Sequence, residues 1–265
     1  MRERIAWLII LVWVLAALIG PTLASGANVV DLDHILSWPD SAGWLGYDDL
    51  GRPLGARLLV GARYSLLVAF WVVTVSASIG TTIGIVSAYV GGRIDHLIVR
   101  VIDIFLAFPG ILLAIALAGL MGPGIDNVVF ALSVVGWVGF ARLARVQTLS
   151  LKHREHVQAA ISLGSRSGRI MFRHLLPLLV SPLIIEATFA IAGVVIAEAG
   201  LSFLGLGIQP PTPSWGSMIR DGTRYMLVSP HMVLAPGLTL MLVVLAINLL
   251  GDRLGDRLNV RREGA

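Results

Sequence analysis

Residues 64–92 read YSLLVAFWVVTVSASIGTTIGIVSAYVGG, a run of 29 residues without one charged side chain. The hydrocarbon core of a bilayer is about 30 Å thick, and a helix of about 20 apolar residues crosses it with every backbone N–H and C=O bonded internally. The run is long enough to do so. It predicts an all-α integral membrane protein.

Five further stretches extend this prediction to six transmembrane helices. Three of them carry no charge over about the thickness of a membrane, namely residues 5–23, 104–125 and 232–251. Residues 127–141 are uncharged over only 15 positions, so this stretch spans only if the flanking Arg142 and Arg145 extend their long stems to the interface. The remaining stretch, residues 179–204, is apolar apart from two glutamates.

Composition excludes several other classes of protein. The chain is 56% hydrophobic and 14% charged, with a mean hydropathy of +0.84, which is more apolar than a soluble domain requires. It contains no cysteine, so it has neither disulfides nor thiolate ligands. Its basic residues lie between the apolar stretches rather than in one block, so the net charge of +4 does not indicate a nucleic-acid partner.

The sequence also lacks the motifs of an enzyme. Its only lysine, Lys152, stands in the context SLKH, so the chain cannot supply the glycine-rich phosphate loop with a Lys that ATP hydrolysis needs. No H-E-x-x-H or G-x-S-x-G motif occurs, and His153 with His156 is more typical of a polar helix face than of a metal pair. We therefore predict no catalytic residue, no metal site and no bound cofactor.

The distribution of charge predicts the orientation. Six spans place both chain ends on one side. If the N-terminus is inside, the inner segments hold 15 of the 20 Lys and Arg residues and the outer segments hold 5. Because inner loops are enriched in positive charge, both ends are predicted to be cytoplasmic. An alternative for the first stretch is a cleaved signal peptide, since Arg2 and Arg4 precede it and small residues follow.

Two acids stand within the predicted span 179–204. Each of Glu186 and Glu198 would cost about 2.5 to 3.5 kcal/mol at the bilayer centre, so this helix should face protein or water. The two lie 12 residues apart, which separates them by about 120° on a helix. Both are candidates for lining a translocation pathway, with Glu198 the stronger; the alternative that we favour for Glu198 is a hydrogen-bonded structural role.

A polar insert, residues 147–174, separates the fourth and fifth predicted spans. In its first part Val157, Ala160 and Ile161 recur at i, i+3 and i+4, which predicts an amphipathic helix over residues 155–163 that Gly164 terminates. Its second part carries three arginines at helical spacing, and Pro177 marks the entry to the next span. We predict two short helices joined at residues 164–168.

The insert resembles a loop of the ABC importer permeases. The family's pattern is E-A-A, three residues, G, nine residues, I-x-L-P. The insert follows it with Gln158, Ala159 and Ala160, then Gly164 after three intervening residues, and later Leu176 and Pro177. The stretches DIFLAFPGILLAIA at 103–116 and IAEAGLSFLGLG at 196–207, followed by QPPTPSWGSM, look like the peptide and nickel branch, and more narrowly like the C subunit of dipeptide and oligopeptide permeases. Together with Gly46, Asp48, Gly51 and Arg52, the resemblance covers residues 46–252.

This resemblance implies a fold, partners and site residues. The fold would be that of a type I ABC importer permease: an N-terminal helix and external segment over residues 1–63, a transmembrane core over 64–252 and a cytoplasmic tail over 253–265. The insert would couple to the ATPase through eight residues: Glu155, Gln158, Ala159, Ala160, Gly164, Arg166, Arg169 and Pro177. An external binding protein would dock near Asp48, Arg52 and Trp215.

The implied complex lies in a bacterial inner membrane. It contains a homologous second permease, two ATPase subunits that bind ATP and Mg²⁺, and the external binding protein, and it imports dipeptides or short oligopeptides. Departures from the family pattern include Gln158 for the usual Glu, and Tyr47 and Pro53 in the entry motif. Alternatives are import of nickel or another small solute, a secondary transporter driven by an ion gradient, and a non-transporting membrane scaffold.

Overall fold

The computed structural model describes residues 2–24, 26–41 and 43–263 and is all-helical in its regular elements. Ten α-helices are described in these ranges: α1 (Arg2–Leu23), α2 (Leu54–Val90), α3 (Gly92–Leu106), α4 (Gly110–Met121), α5 (Ile125–Leu151), α6 (Glu155–Ser162), α7 (Ser167–Arg169), α8 (Leu176–Phe203), α9 (Trp215–Thr223) and α10 (His231–Glu263). A π-helical turn, Ile170–Leu175, joins α7 to α8.

Five helical segments are long and apolar enough to cross a membrane, and the number is six if a bent pair of helices counts as one span. The five are α1, α2, α5, α10 and the continuous segment Ser167–Phe203, which includes α8. The pair is α3 and α4, which are bent by 83° at residues 107–109. The prediction of six spans is confirmed with the pair as one span, but residues 104–125 are not one continuous helix, because Pro109 cannot continue the turn of α3.

Helix α2 forms the centre of the bundle. It runs for 37 residues, about 55 Å at 1.5 Å per residue, and begins at Leu54, ten residues before the uncharged run. Gly80 and Gly84 lie against α5: a Cβ at Gly80 would be 2.3 Å from the carbonyl oxygen of Trp137. The sequence pair G-x-x-x-G does bring two helix backbones together here, as such pairs do in membrane bundles.

The bundle has two distinct ends. At one end, which we call the cap, residues 26–41 and 43–53, α9 and the loop from α9 to α10 cover the starts of α2 and α10. The carbonyl of Leu36 accepts a hydrogen bond of 3.1 Å from the hydroxyl of Ser229 in that loop. The opposite end carries α6. There Arg257 near the end of α10 pairs with Glu3 of α1 at 2.5 Å, so the start of α1 and the end of α10 lie at the same end of the bundle.

The first helix is integrated into this bundle. Trp13 of α1 is buried, with its ring centroid 6.3 Å from that of Trp215. Ala17 is buried in the same cluster. These contacts support a retained first span over the signal-peptide alternative.

Candidate functional site

The polar insert folds as a short amphipathic helix on the end of the bundle opposite the cap. Val157 and Ala160 of α6 are buried, and Val157 packs against Leu151, Ile170 and Leu175. The predicted helix is confirmed over Glu155–Ser162, but Ile161, which was predicted on the same apolar face, is exposed. The packing holds α6 between the end of α5 and the start of the next membrane segment.

The outer face of α6 has no cover among the described residues. Leu163 has 86% of its surface exposed, and Ile161 is exposed as well. Of the predicted coupling residues, only Ala160 is buried; the exposed ones are Glu155, Gln158, Ala159, Gly164, Arg166, Arg169 and Pro177. Exposed apolar side chains beside polar ones are typical of a surface that a partner covers.

Gly164 ends α6 in a backbone conformation that other residues seldom adopt. Its φ is +76°, and nothing lies within 4 Å of the position that a Cβ would take. The turn lets the N–H of Ser165 donate to the carbonyl of Ala160 at 3.1 Å, as glycine does at many helix ends. The predicted role of Gly164 as terminator of α6 is confirmed.

The segment after Gly164 differs from the prediction. It is not a separate short helix, because α7 continues through the π turn Ile170–Leu175 into α8, and the whole segment Ser167–Phe203 is long and apolar enough to span. Ile170 and Leu175 are buried in the same cluster as Val157. The start of this membrane segment is therefore packed against α6. Pro177 causes no break because it follows the π turn directly, where the usual i→i−4 bonding pattern is already interrupted: the N–H of Leu176 donates to the carbonyl of Met171.

Gln158 ties α6 to α5 by a bond that a glutamate could not make. Its side-chain amide donates to the carbonyl oxygen of Lys152 at 2.8 Å, and a carboxylate has no hydrogen to donate there. The ammonium of Lys152 donates in turn to the carbonyl of Ala88 at 3.0 Å, near the end of α2. The glutamine at this position therefore connects α6 to the ends of two spans.

A second polar cluster braces the same end of the bundle. Arg145 of α5 makes two hydrogen bonds of 2.6 and 2.7 Å to Asp95 of α3, and the hydroxyl of Ser87 donates to the same carboxylate at 2.6 Å. Such bidentate pairs are among the stronger polar contacts. The sequence predicted only that Arg145 extends to the membrane interface. It did not predict the pair with Asp95, because the two residues lie 50 positions apart and no local spacing relates them.

The cap contains a buried ion cluster that includes two predicted docking residues. Asp48 and Arg52 pair at 2.7 Å, and Arg57 lies 3.3 Å from the same carboxylate. All three are buried. Burial raises the pKa of the neighbouring Asp49 carboxyl, and the like charge of Asp48 raises it further.

Trp215, the third predicted docking residue, is also buried. Its ring N–H donates to the carbonyl of Leu58 at 3.1 Å, and Ser214 begins α9 with a capping box that includes Ser217. Trp215 thus fastens α9 to α2. The side chains of Asp48, Arg52 and Trp215 hold the cap together, and their part in docking stays a prediction.

We expect Asp48→Asn to loosen the cap. The change leaves Arg52 and Arg57 buried beside a neutral amide, which we expect to cost about 2–3 kcal/mol. Limited proteolysis from the cap side should cut residues 26–53 faster than in the parent chain. Asp33→Asn, at an exposed carboxylate of the same segment, is the control. Equal cleavage rates in both variants would show that the cluster does not stabilise the cap.

The two membrane acids have different surroundings. Glu198 is 1% exposed and accepts hydrogen bonds from Ser202 at 2.7 Å and from Ser65 at 3.3 Å. Glu186 is only partly buried, and it makes no hydrogen bond or ion pair with the described residues. These contacts support the structural role for Glu198. Whether either acid lines a pathway stays a prediction.

Among residues 2–24, 26–41 and 43–263, no group of three or more His, Cys, Asp or Glu side chains could hold a metal ion. His153 and His156 are exposed on the insert. The features that the structure does assemble are an uncovered helix at one end, a closed cap at the other and a bundle of spans between them.

Comparisons with known proteins agree with this arrangement. The profile of the family described as "Binding-protein-dependent transport system inner membrane component" matches residues 80–263. The chain is 44% identical to the glutathione transport system permease protein GsiD of Pectobacterium atrosepticum, over 88% of this chain and 77% of the relative. It is 41% identical to the dipeptide transport system permease protein DppC of Alkalihalophilus pseudofirmus, over 95% of this chain and 83% of the relative.

A solved structure shares the fold. An inward-facing structure of the MetNI methionine ABC transporter superposes with a TM-score of 0.63 at 18% identity, covering 76% of this chain and 95% of the other. At that identity the likeness concerns the fold alone. The family match covers more than half of this chain, and the two relatives match most of it. The chain is a multi-pass inner-membrane protein and belongs to the family of binding-protein-dependent transport system inner membrane components, the permease subunits of ABC importers.

Proposed function

We propose that this chain is the permease subunit of an importer for short peptides, with dipeptides, oligopeptides and glutathione as the substrate class. The observation that carries the proposal is identity above 40% to permeases named for dipeptide and glutathione transport, along most of both chains. The exposed face of α6 supports the mechanism, because it offers a separate ATPase subunit a surface that is packed onto two spans.

The orientation follows from charge. The end that carries α6 holds most of the 15 basic residues assigned inside, and the positive-inside rule places it in the cytoplasm. Two ATPase subunits, which bind ATP and Mg²⁺, would press on α6 of this chain and on its counterpart in a homologous second permease. An external binding protein would deliver the peptide to the cap.

Transport then needs no covalent step in this chain. Closure of the ATPase subunits on ATP would move α6, and the packing of Val157 against Leu151, Ile170 and Leu175 would carry that movement to α5 and α8. Rigid movement of helices around a central site is the usual way in which transporters alternate between openings.

Uptake by the reconstituted importer tests the proposal. Proteoliposomes with this chain, its partner permease, the ATPase subunits and the binding protein should accumulate a labelled dipeptide or glutathione when ATP is supplied to the ATPase side. Omission of the ATPase subunits should abolish uptake, and a protonophore should leave it unchanged. Uptake that a proton gradient drives without ATPase subunits would indicate a secondary transporter, and uptake of nickel without peptide would indicate the other branch.

A protease-protection experiment tests the orientation. A peptide tag after Gly264, which lies outside the described residues, should resist a protease added outside intact cells because both chain ends are predicted to be cytoplasmic. The same tag inserted after Leu227, which is fully exposed in the cap, should be cut. Cleavage of the C-terminal tag with protection of the cap tag would reverse the topology.

A further inference from the structure

Glu186 lies within the predicted span 179–204, in the half that is nearer α6, and has no partner among the described residues. It stands seven residues after the start of that span and 18 before its end. Its carboxylate lies against α5, where Oε1 would be 2.9 Å from a Cβ at Gly139. An ionised carboxylate at this depth is costly unless it faces water or a cation.

The face of α5 beside Glu186 is uncovered. Gly139, Arg142 and Val146 recur at i, i+3 and i+7, and all three are exposed, so they form one open stripe. Helix α4 covers only the cap-side half of α5: Gly110, at its start, is packed against Val135. Below that level, the exposed stripe of α5 lies between its contact with α3, at Val138 and Ala141, and its contact with Glu186 of α8; we call this stripe the groove.

Arg142 gives the groove a positive charge near Glu186. It makes no ion pair or hydrogen bond with the described residues. It stands one helical turn from Gly139 on the same exposed stripe, so its side chain is a neighbour of that position. A carboxylate on α8 and an arginine on α5 therefore lie within about one turn of the same glycine.

The break between α3 and α4 lies beside the cap-side end of this stripe, where Gly110 packs against Val135. Residues 107–109 join two helices bent by 83°, and Phe108 and Pro109 are exposed. Irregular backbone at membrane depth is tolerated where it is buried in protein or lines water. An aqueous groove would therefore explain both the break at residues 107–109 and the two unpaired charges, Glu186 and Arg142.

We propose that Glu186 and Arg142 form a binding site on the translocation pathway for the two charged ends of a peptide. Glu186 accepts hydrogen bonds from the peptide ammonium group, and Arg142 donates a bidentate pair to the peptide carboxylate. The inference rests on the proposed function, because a zwitterionic cargo is what these charges fit. The proposal assigns this role to Glu186 and not to Glu198, because the carboxylate of Glu198 already accepts hydrogen bonds from Ser65 and Ser202.

Water access to position 186 can be measured directly because the chain has no cysteine. In the complete importer, Glu186→Cys should react with a membrane-impermeant cationic methanethiosulfonate, and a saturating dipeptide with the loaded binding protein should slow the reaction severalfold. Ile184→Cys is the matched control, since this residue is 47% exposed but lies about 200° around α8. It should not react. A thiol at position 186 that stays unreactive, or that dipeptide does not protect, would overturn the site.

Uptake supplies the second readout. Glu186→Gln and Arg142→Gln should each lower dipeptide uptake about tenfold, the loss expected from one charge-assisted hydrogen bond, at equal amounts of assembled complex. Arg253→Gln, at an exposed arginine of α10 at the same end, should leave uptake unchanged. Parental uptake in both groove variants would overturn the inference while the proposed function stands. If the parent importer carries no peptide at all, the proposed function fails, and the thiol reaction of the Glu186→Cys variant still decides whether the groove holds water.

Discussion

Replacement of Gly164 by leucine is expected to abolish ATP-driven uptake while the chain still inserts and assembles. A leucine at φ +76° would strain the turn by about 1–2 kcal/mol, so the exit from α6 should shift. The new side chain would also project from the face where Leu163 is exposed. Both changes fall on the surface that we assign to the ATPase subunits. ATP hydrolysis should then continue without transport.

The comparison of uptake with ATPase activity in one preparation checks this expectation. Gly164→Asn is the matched variant, because asparagine tolerates the left-handed conformation better than other residues with a Cβ. It should keep more coupled transport than Gly164→Leu. Coupled transport at the parental level in the leucine variant would contradict the assignment of α6 as the ATPase contact.

Replacement of Gly84 by valine is expected to prevent folding of the bundle. A Cβ at Gly84 would lie 2.3 Å from the carbonyl oxygen of Ala141 and 2.9 Å from the Cβ of Ala144. The obstacle at Ala141 is backbone, so α2 and α5 would have to separate along their contact. Overpacking of this kind costs about 3 kcal/mol or more, which is a large part of the stability of a typical domain.

The amount of membrane-inserted protein and its melting temperature in detergent measure this effect. Gly119→Val is the control, because this glycine of α4 has nothing within 4 Å of a Cβ and no left-handed φ. Accumulation of Gly84→Val should fall at least tenfold, whereas Gly119→Val should accumulate normally. Similar behaviour of the two variants would show that the close contact of α2 and α5 is not required.

The spans and the coupling helix could be predicted from sequence because each depends on local composition. Long uncharged runs can only be satisfied as helices in lipid, and the spacing of Val157 and Ala160 shows which face of α6 is buried. The G-x-x-x-G spacing of Gly80 and Gly84 favours the close approach of another helix. The spacing does not show which helix approaches, since that is decided by packing between residues far apart in sequence.

The features that the sequence did not reveal have physical causes of the same kind. The bend at Pro109 lies inside a run that hydropathy reads as continuous, and only the proline indicated it. Asp48, Arg52 and Trp215 stand in polar, exposed-looking sequence, yet their partners bury them. The pair of Asp95 and Arg145 joins residues 50 positions apart, so spacing could not reveal it.

Cross-linking from position 163 tests the central claim most directly. Leu163→Cys would place the only thiol of this chain on the exposed face of α6, where a photoreactive maleimide can join it to a neighbour in the intact membrane. The account predicts a product that contains the ATPase subunit, while the same label at Leu227→Cys in the cap gives none. An assembly that hydrolyses ATP but yields no ATPase product from position 163 would contradict the account.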